Sequence, residues 1–160
     1  MKKRGGVLVA VLLLLALLLI IGMALLGKES YHLQAAGQTA HSEAAYELAM
    51  AGLEEARVKL DKDIRFPPHR DTEQPTFSYT EEVTDVDGGP VIGRYEVTLD
   101  RRWEGPPYQV WRLQVVATLG TLEDPLAQRI LTATLDIAPD RGGPNPNFWN
   151  FIEVTDSGSL

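Results

Sequence analysis

Twenty apolar residues in succession, Val7 to Leu26, constrain this chain more than any other feature. As a helix rising 1.5 Å per residue they cover about 30 Å, the thickness of a bilayer's hydrocarbon core. A secretory leader has an apolar part of only ~7–15 residues, followed by a small-residue cleavage site. No such site follows Leu26, and the helical pattern runs straight on into polar sequence. The run therefore reads as a membrane span that the chain keeps. Lys2, Lys3 and Arg4 precede it and only Lys28 closely follows. Cations stay on the cytoplasmic side, so the expected orientation is single-pass with the C-terminus outside.

About 130 residues remain beyond the span, enough for one domain of ordinary size. The formal net charge is -7, and without Lys2, Lys3 and Arg4 it is -10. A body this acidic is a poor partner for nucleic acid, whose attraction to proteins is mostly electrostatic, so no direct nucleic-acid binding is expected. Cysteine is absent. That excludes a disulfide framework, a thiolate metal site and a cysteine nucleophile.

The helical pattern extends from the span to about Asp63. Lys28 to Asp63 contains no proline and is rich in Ala, Leu, Glu, Gln, Lys and Arg, all good helix formers. Ala45, Ala49, Leu53, Ala56 and Leu60 fall on one face, while Glu43, Glu47, Glu54, Arg57 and Asp61 fall on another. Glu55 and Lys59 add a supporting pair four residues apart. Gly22, Gly27 and Gly37 are the weak points, each costing ~1 kcal/mol relative to alanine. Phe66-Pro67-Pro68 ends the pattern, since proline lacks the N–H and clashes with the preceding turn.

From residue 64 the chain reads as β-rich. Four runs, Phe77 to Val86, Gly93 to Trp103, Tyr108 to Leu119 and Gln128 to Ala138, are separated by Gly/Pro turn signals close enough for hairpins. They predict an antiparallel meander with one apolar face, and the amphipathic helix is the element to cover it. The fold class is thus α+β: a long N-terminal α-helix, its first half membrane-spanning, packed by its second half on a small antiparallel β-sheet. The predicted division is 1–6 as a short basic head, 7–63 as helix (7–26 transmembrane) and 64–160 as an extracytoplasmic β-rich body. A Gly/Pro-rich tail starts at about 139 and ends in the aromatic Phe148-Trp149-Asn150-Phe151-Ile152. That segment is either a fifth edge strand or a partner contact.

No catalytic constellation emerges. His32, His41 and His69 stand neither at metal-ligand spacing nor beside evident carboxylate partners, and there is no nucleophile elbow, P-loop or His-Glu-x-x-His. Asp85-Val86-Asp87-Gly88 resembles the opening of a calcium loop, but Gly89 stands where a third oxygen ligand is needed, which favours a hairpin turn. Neither enzymatic activity, a metal nor a cofactor is expected.

Two blocks carry a family resemblance. Arg4-Gly5-Gly6-Val7-Leu8-Val9-Ala10-Val11-Leu12-Leu13-Leu14 resembles the start of PilX-type minor pilins, within the type IV pilin and pseudopilin class. Ala44-Ala45-Tyr46-Glu47-Leu48-Ala49-Met50-Ala51-Gly52-Leu53-Glu54-Glu55-Ala56 resembles that family's helix continuation. The K pseudopilin of type II secretion is a weaker match, being considerably larger.

The resemblance implies that Met1 to Gly5 or Gly6 is a prepilin-like leader, removed on the cytoplasmic side by a prepilin peptidase. Gly6 or Val7 then becomes the methylated mature terminus. It also implies storage in the bacterial inner membrane, then assembly with other pilin or pseudopilin subunits through the N-terminal helix into a periplasmic or cell-surface filament. Major pilins carry glutamate at the fifth mature position, where this chain has Ala10 or Val11. In the family picture that carboxylate offsets a neighbouring subunit's charged terminus inside an apolar core, so its absence points to an initiating or tip-associated subunit. The family's frequent C-terminal disulfide is also missing, which leaves the closure of the tail to be explained. The rival expectation is a signal-anchored bitopic membrane protein with an outward binding or sensor domain, which would keep Met1 to Gly6.

Overall fold

The computed structural model describes residues 4–66 and 74–158. Its elements are one helix, α1 (Arg4–Lys62), and five strands: β1 (Thr76–Thr84), β2 (Val91–Asp100), β3 (Val110–Gly120), β4 (Pro125–Asp136) and β5 (Phe151–Asp156). The fold is α+β, a long N-terminal helix packed against a five-stranded antiparallel sheet in the order β1-β2-β3-β4-β5. Two compact units divide the chain between Thr39 and Ala40.

The first unit is helix alone. Its apolar residues are exposed all round the helix: Leu12 is 59% exposed, Leu19 67% and Leu26 73%. This is the helix that is long and apolar enough to cross a membrane. An uninterrupted apolar run with no protein neighbour has no reason to stop being helical, because all its backbone hydrogen bonds are internal. The helix continues through Gly22, Gly27 and Gly37.

The second unit contains the core. Ala45, Ala49, Leu53, Ala56 and Leu60 are all buried, as the helical spacing predicts, and Leu48 joins them. Leu48, Ala49, Leu53, Ala56 and Leu60 meet the inward residues of the sheet: Tyr95, Val97 and Leu99 of β2, Trp111, Leu113, Val115 and Ala117 of β3, and Leu131, Ala133 and Leu135 of β4. Strand alternation puts these on one face, and the register lines them up as Val97–Val115–Leu131 and Leu99–Leu113–Ala133 across three strands. Fully burying each leucine or valine contributes about 1.5–3 kcal/mol. Close approach needs small residues at two points. A Cβ on Gly52 would stand 3.0 Å from the Tyr95 ring and from Val115, and one on Gly93 would stand 2.7 Å from Leu48 and from the Thr118 carbonyl.

The structure adjusts the predicted boundaries. The helix includes Arg4 to Gly6 and ends at Lys62, and the strands shift by a few residues at either end. Asp85 caps a short 3-10 turn, Val86–Gly88, accepting from the Val86 N–H at 2.7 Å. Asp87 and Gly88 there have φ of 60° and 76°, so the supposed calcium-loop opening serves as the β1–β2 turn. The four predicted runs form a meander, and the tail adds a fifth, edge strand, one of its two expected roles. The aromatic tail segment divides: Phe151 and Ile152 open β5, which pairs with β4, whereas Phe148 to Asn150 form the turn before it. Trp149 and Phe151 pack against the core, while Phe148 and Ile152 are 44% and 48% exposed.

Candidate functional site

Gly5, Gly6, Val7, Ala10 and Val11 all lie in the opening turns of α1. Val7 and Val11 are 65% and 52% exposed, and a Cβ at Gly6 would meet nothing within 4 Å. No acidic residue stands in the helix's first turn, and in sequence the first is Glu29. The exposed surface of this unit is thus apolar throughout Val7–Leu26, without a charged, hydroxyl or amide side chain. Among the described histidines, His32 is exposed and His41 half-buried on α1, while His69 lies outside the described residues. Among the described residues no three His, Asp or Glu side chains come together as a metal site would need.

Two polar clusters anchor the second unit. The first fastens α1 to β1 and β2. Lys59 Nζ lies 2.8 Å from Glu55 Oε1 and is also bonded to Glu81 of β1. The buried Tyr95 donates its hydroxyl to Glu55, and also to Glu81 at 3.2 Å. The ammonium sits 4.8 Å from the centre of the Tyr79 ring and 5.6 Å from that of Phe66, in reach of cation–π attraction. Burial opposes the Lys59 charge, but hydrogen bonds to Glu55 and Glu81 outweigh it and hold the ammonium above the ordinary lysine value. The Lys59 hydrogen bond in turn holds Glu81 below the ordinary carboxylate value. Burial, followed by the charges of Glu55 and Glu81, pushes the Tyr79 hydroxyl upward.

The second cluster closes the Gly/Pro-rich tail. Asp136, the last residue of β4, is 3% exposed. Its carboxylate accepts from the Ala138 N–H at 2.9 Å, from Arg141 at 3.1 and 3.2 Å, and from Asn145 Nδ2 at 3.1 Å. Arg141 also donates to the Tyr108 carbonyl at 2.9 Å, tying the β2–β3 loop to the β4–β5 loop. The Asp136 backbone adds two bonds, from the Trp149 N–H at 2.7 Å and to the Asn150 carbonyl at 3.1 Å. Trp149 then stacks edge-on against Trp111, centroids 5.7 Å apart. Burial works against the Asp136 charge, but its hydrogen bonds to Arg141, Ala138 and Asn145 prevail and hold the carboxyl below its usual value. The Gly/Pro-rich loop is thus gathered around one buried carboxylate. Arg101, 7% exposed, covers the same end of the core, its guanidinium 4.2 Å from the Trp111 ring and bonded to the Ile64 carbonyl at 2.7 Å.

These clusters hold elements together. A carboxylate kept ionised by a cation is a weakened general base, and neither Glu81 nor Asp136 is poised near neutrality. Sequence reasoning found the Glu55–Lys59 pair from its spacing but not Glu81 or Tyr95, which come from other strands. It missed Asp136 altogether, because strand alternation assigns that residue to the polar face and nothing local marks it as buried. No family model, curated protein or solved structure matches this chain.

Proposed function

We propose that this chain is a pilin-like structural subunit, a PilX-type minor pilin or pseudopilin, of a type IV pilus-like filament. The observation that carries this reading is the division of labour along α1. Its first part is apolar on every side, and its second part is the packing face of a five-stranded meander. Such a helix suits a protein that waits in the inner membrane and then exchanges lipid for the helices of other subunits. The exchange costs little, because lipid tails and leucine side chains are equally apolar and packing decides between them.

Gly5 and Gly6 supply the processing position, and Gly6 or Val7 the methylated terminus. With Ala10 or Val11 at the fifth mature place, the subunit brings no carboxylate to an inward-facing position. An unpaired terminal charge buried beside it would be costly. The chain therefore belongs at the filament end, where it initiates or caps assembly. Its partners are other pilin or pseudopilin subunits, a prepilin peptidase and the inner membrane.

Immunogold labelling of sheared filaments tests this placement. Label at one end of each filament is the expected result. Even label along the shaft would contradict the tip assignment, and absence from filaments and from assembly intermediates would contradict the class.

A further inference from the structure

Arg94 lies on the sheet face turned away from α1, and two clefts of about 260 Å3 each meet on it. Among the described residues its side chain makes no hydrogen bond, ion pair or ring contact, although Glu82 is its cross-strand partner. The other two strand arginines are engaged: Arg112 lies 4.9 Å from the Trp103 ring centre and Arg129 is 3.3 Å from Asp156.

The two clefts differ in chemistry. The first has a floor of Arg94, Thr118 and Gln128 and an apolar rim of Leu122, Pro125 and Leu126, with no acid in its lining. Arg94, Thr118 and Gln128 are successive partners across β2, β3 and β4, so they form one row. Thr118 is 6% exposed and accepts from Gln128 Nε2 at 3.3 Å, which leaves its own hydroxyl hydrogen free for another acceptor. The floor is therefore a set of donors: a planar guanidinium fork, a hydroxyl and an amide. The rim is open leucine, Leu122 being 65% and Leu126 52% exposed. The second cleft adds Glu82 and Glu123 on the far side of Arg94.

We propose that the first cleft binds a carboxylate carried on a small apolar group. The guanidinium fork matches a planar carboxylate in two parallel hydrogen bonds, and the leucine rim takes the apolar part. The neighbouring acids limit the charge: with Glu82 and Glu123 beside the one cation, binding of every anion is weakened, and of a doubly charged one more than of a singly charged one. A free small carboxylate and the end of a peptide chain share this chemistry.

The test is titration of the full chain in detergent micelles at pH 7, followed by amide NMR shifts. The probes are N-acetyl-leucine, N-acetyl-leucinamide, 3-methylbutanoate and inorganic phosphate. The expected result is saturable millimolar binding of N-acetyl-leucine with shifts centred on Arg94, Thr118 and Gln128, and no binding of the amide. Arg94→Gln weakens that binding at least about tenfold, Thr118→Val weakens it without touching Arg94, Glu82→Gln strengthens it, and Arg112→Gln leaves it unchanged. Equal binding of 3-methylbutanoate supports the site with a free carboxylate as ligand, and a clear preference for N-acetyl-leucine supports it with a peptide end. The proposal is overturned if no probe saturates, if the amide or phosphate binds as well as N-acetyl-leucine, or if the folded Arg94→Gln variant binds unchanged.

Discussion

Asp136 is the shared acceptor around which the Gly/Pro-rich tail closes. Replacing it by alanine leaves Arg141, Asn145 and the Ala138 N–H without their shared acceptor. Asp136→Ala should destabilise the body by about 2–3 kcal/mol, read as a lowered denaturant midpoint for the full chain in detergent. An unchanged midpoint would show that Trp149 and β5 hold the tail unaided. The same residue sets an acid limit. Because its folded carboxyl sits below the ordinary value, its contribution is complete above about pH 4 and drains away as pH falls through the lower folded value. Glu81 acts in the same direction. Lys59, held above its ordinary value, contributes fully below about pH 10 and loses that contribution only as pH rises through the raised folded value. Stability should therefore be flat across neutral pH, and Asp136→Asn should flatten the acid side of the profile. An acid limb of equal steepness in that variant would remove Asp136 from the account.

At the scale of elements, the contact between α1 and the sheet holds the second unit together. Leu53 is fully buried, and Leu53→Ala should cost about 2–5 kcal/mol. Gly93→Leu should be at least as damaging, since Leu48 and the Thr118 carbonyl occupy the space a side chain needs. Leu13→Ala, in the exposed apolar run, should leave the body's unfolding midpoint unchanged. A matching loss there would mean that the two units unfold together. These elements were legible because each has a strong periodic signal: the four- and three-residue spacing of Ala45 to Leu60, and the alternation of Tyr95, Val97 and Leu99. β5 was only half legible, because its six residues present mostly exposed side chains and its partners lie a long loop away. The ion clusters were largely illegible for a related reason. Tyr95 meets Glu55 across 40 residues of chain and Glu81 meets Lys59 across 22, and no local pattern marks such a meeting.

At the scale of the molecule, the open matter is what becomes of the apolar helix. A chain that keeps Met1-Lys2-Lys3-Arg4-Gly5-Gly6 carries three fixed cations at the head of the span and stays in the membrane as a bitopic protein. A chain cut after Gly5 or Gly6 retains only a terminal amine there, and its span can leave lipid for a bundle of like helices. The most direct measurement is the intact mass and N-terminal sequence of the membrane-extracted protein, expressed with and without a prepilin peptidase. The pilin reading predicts loss of Met1 through Gly5 or Gly6 and a methylated new terminus, seen only when the peptidase is present. An intact Met1 in both samples would contradict it and leave a signal-anchored membrane protein.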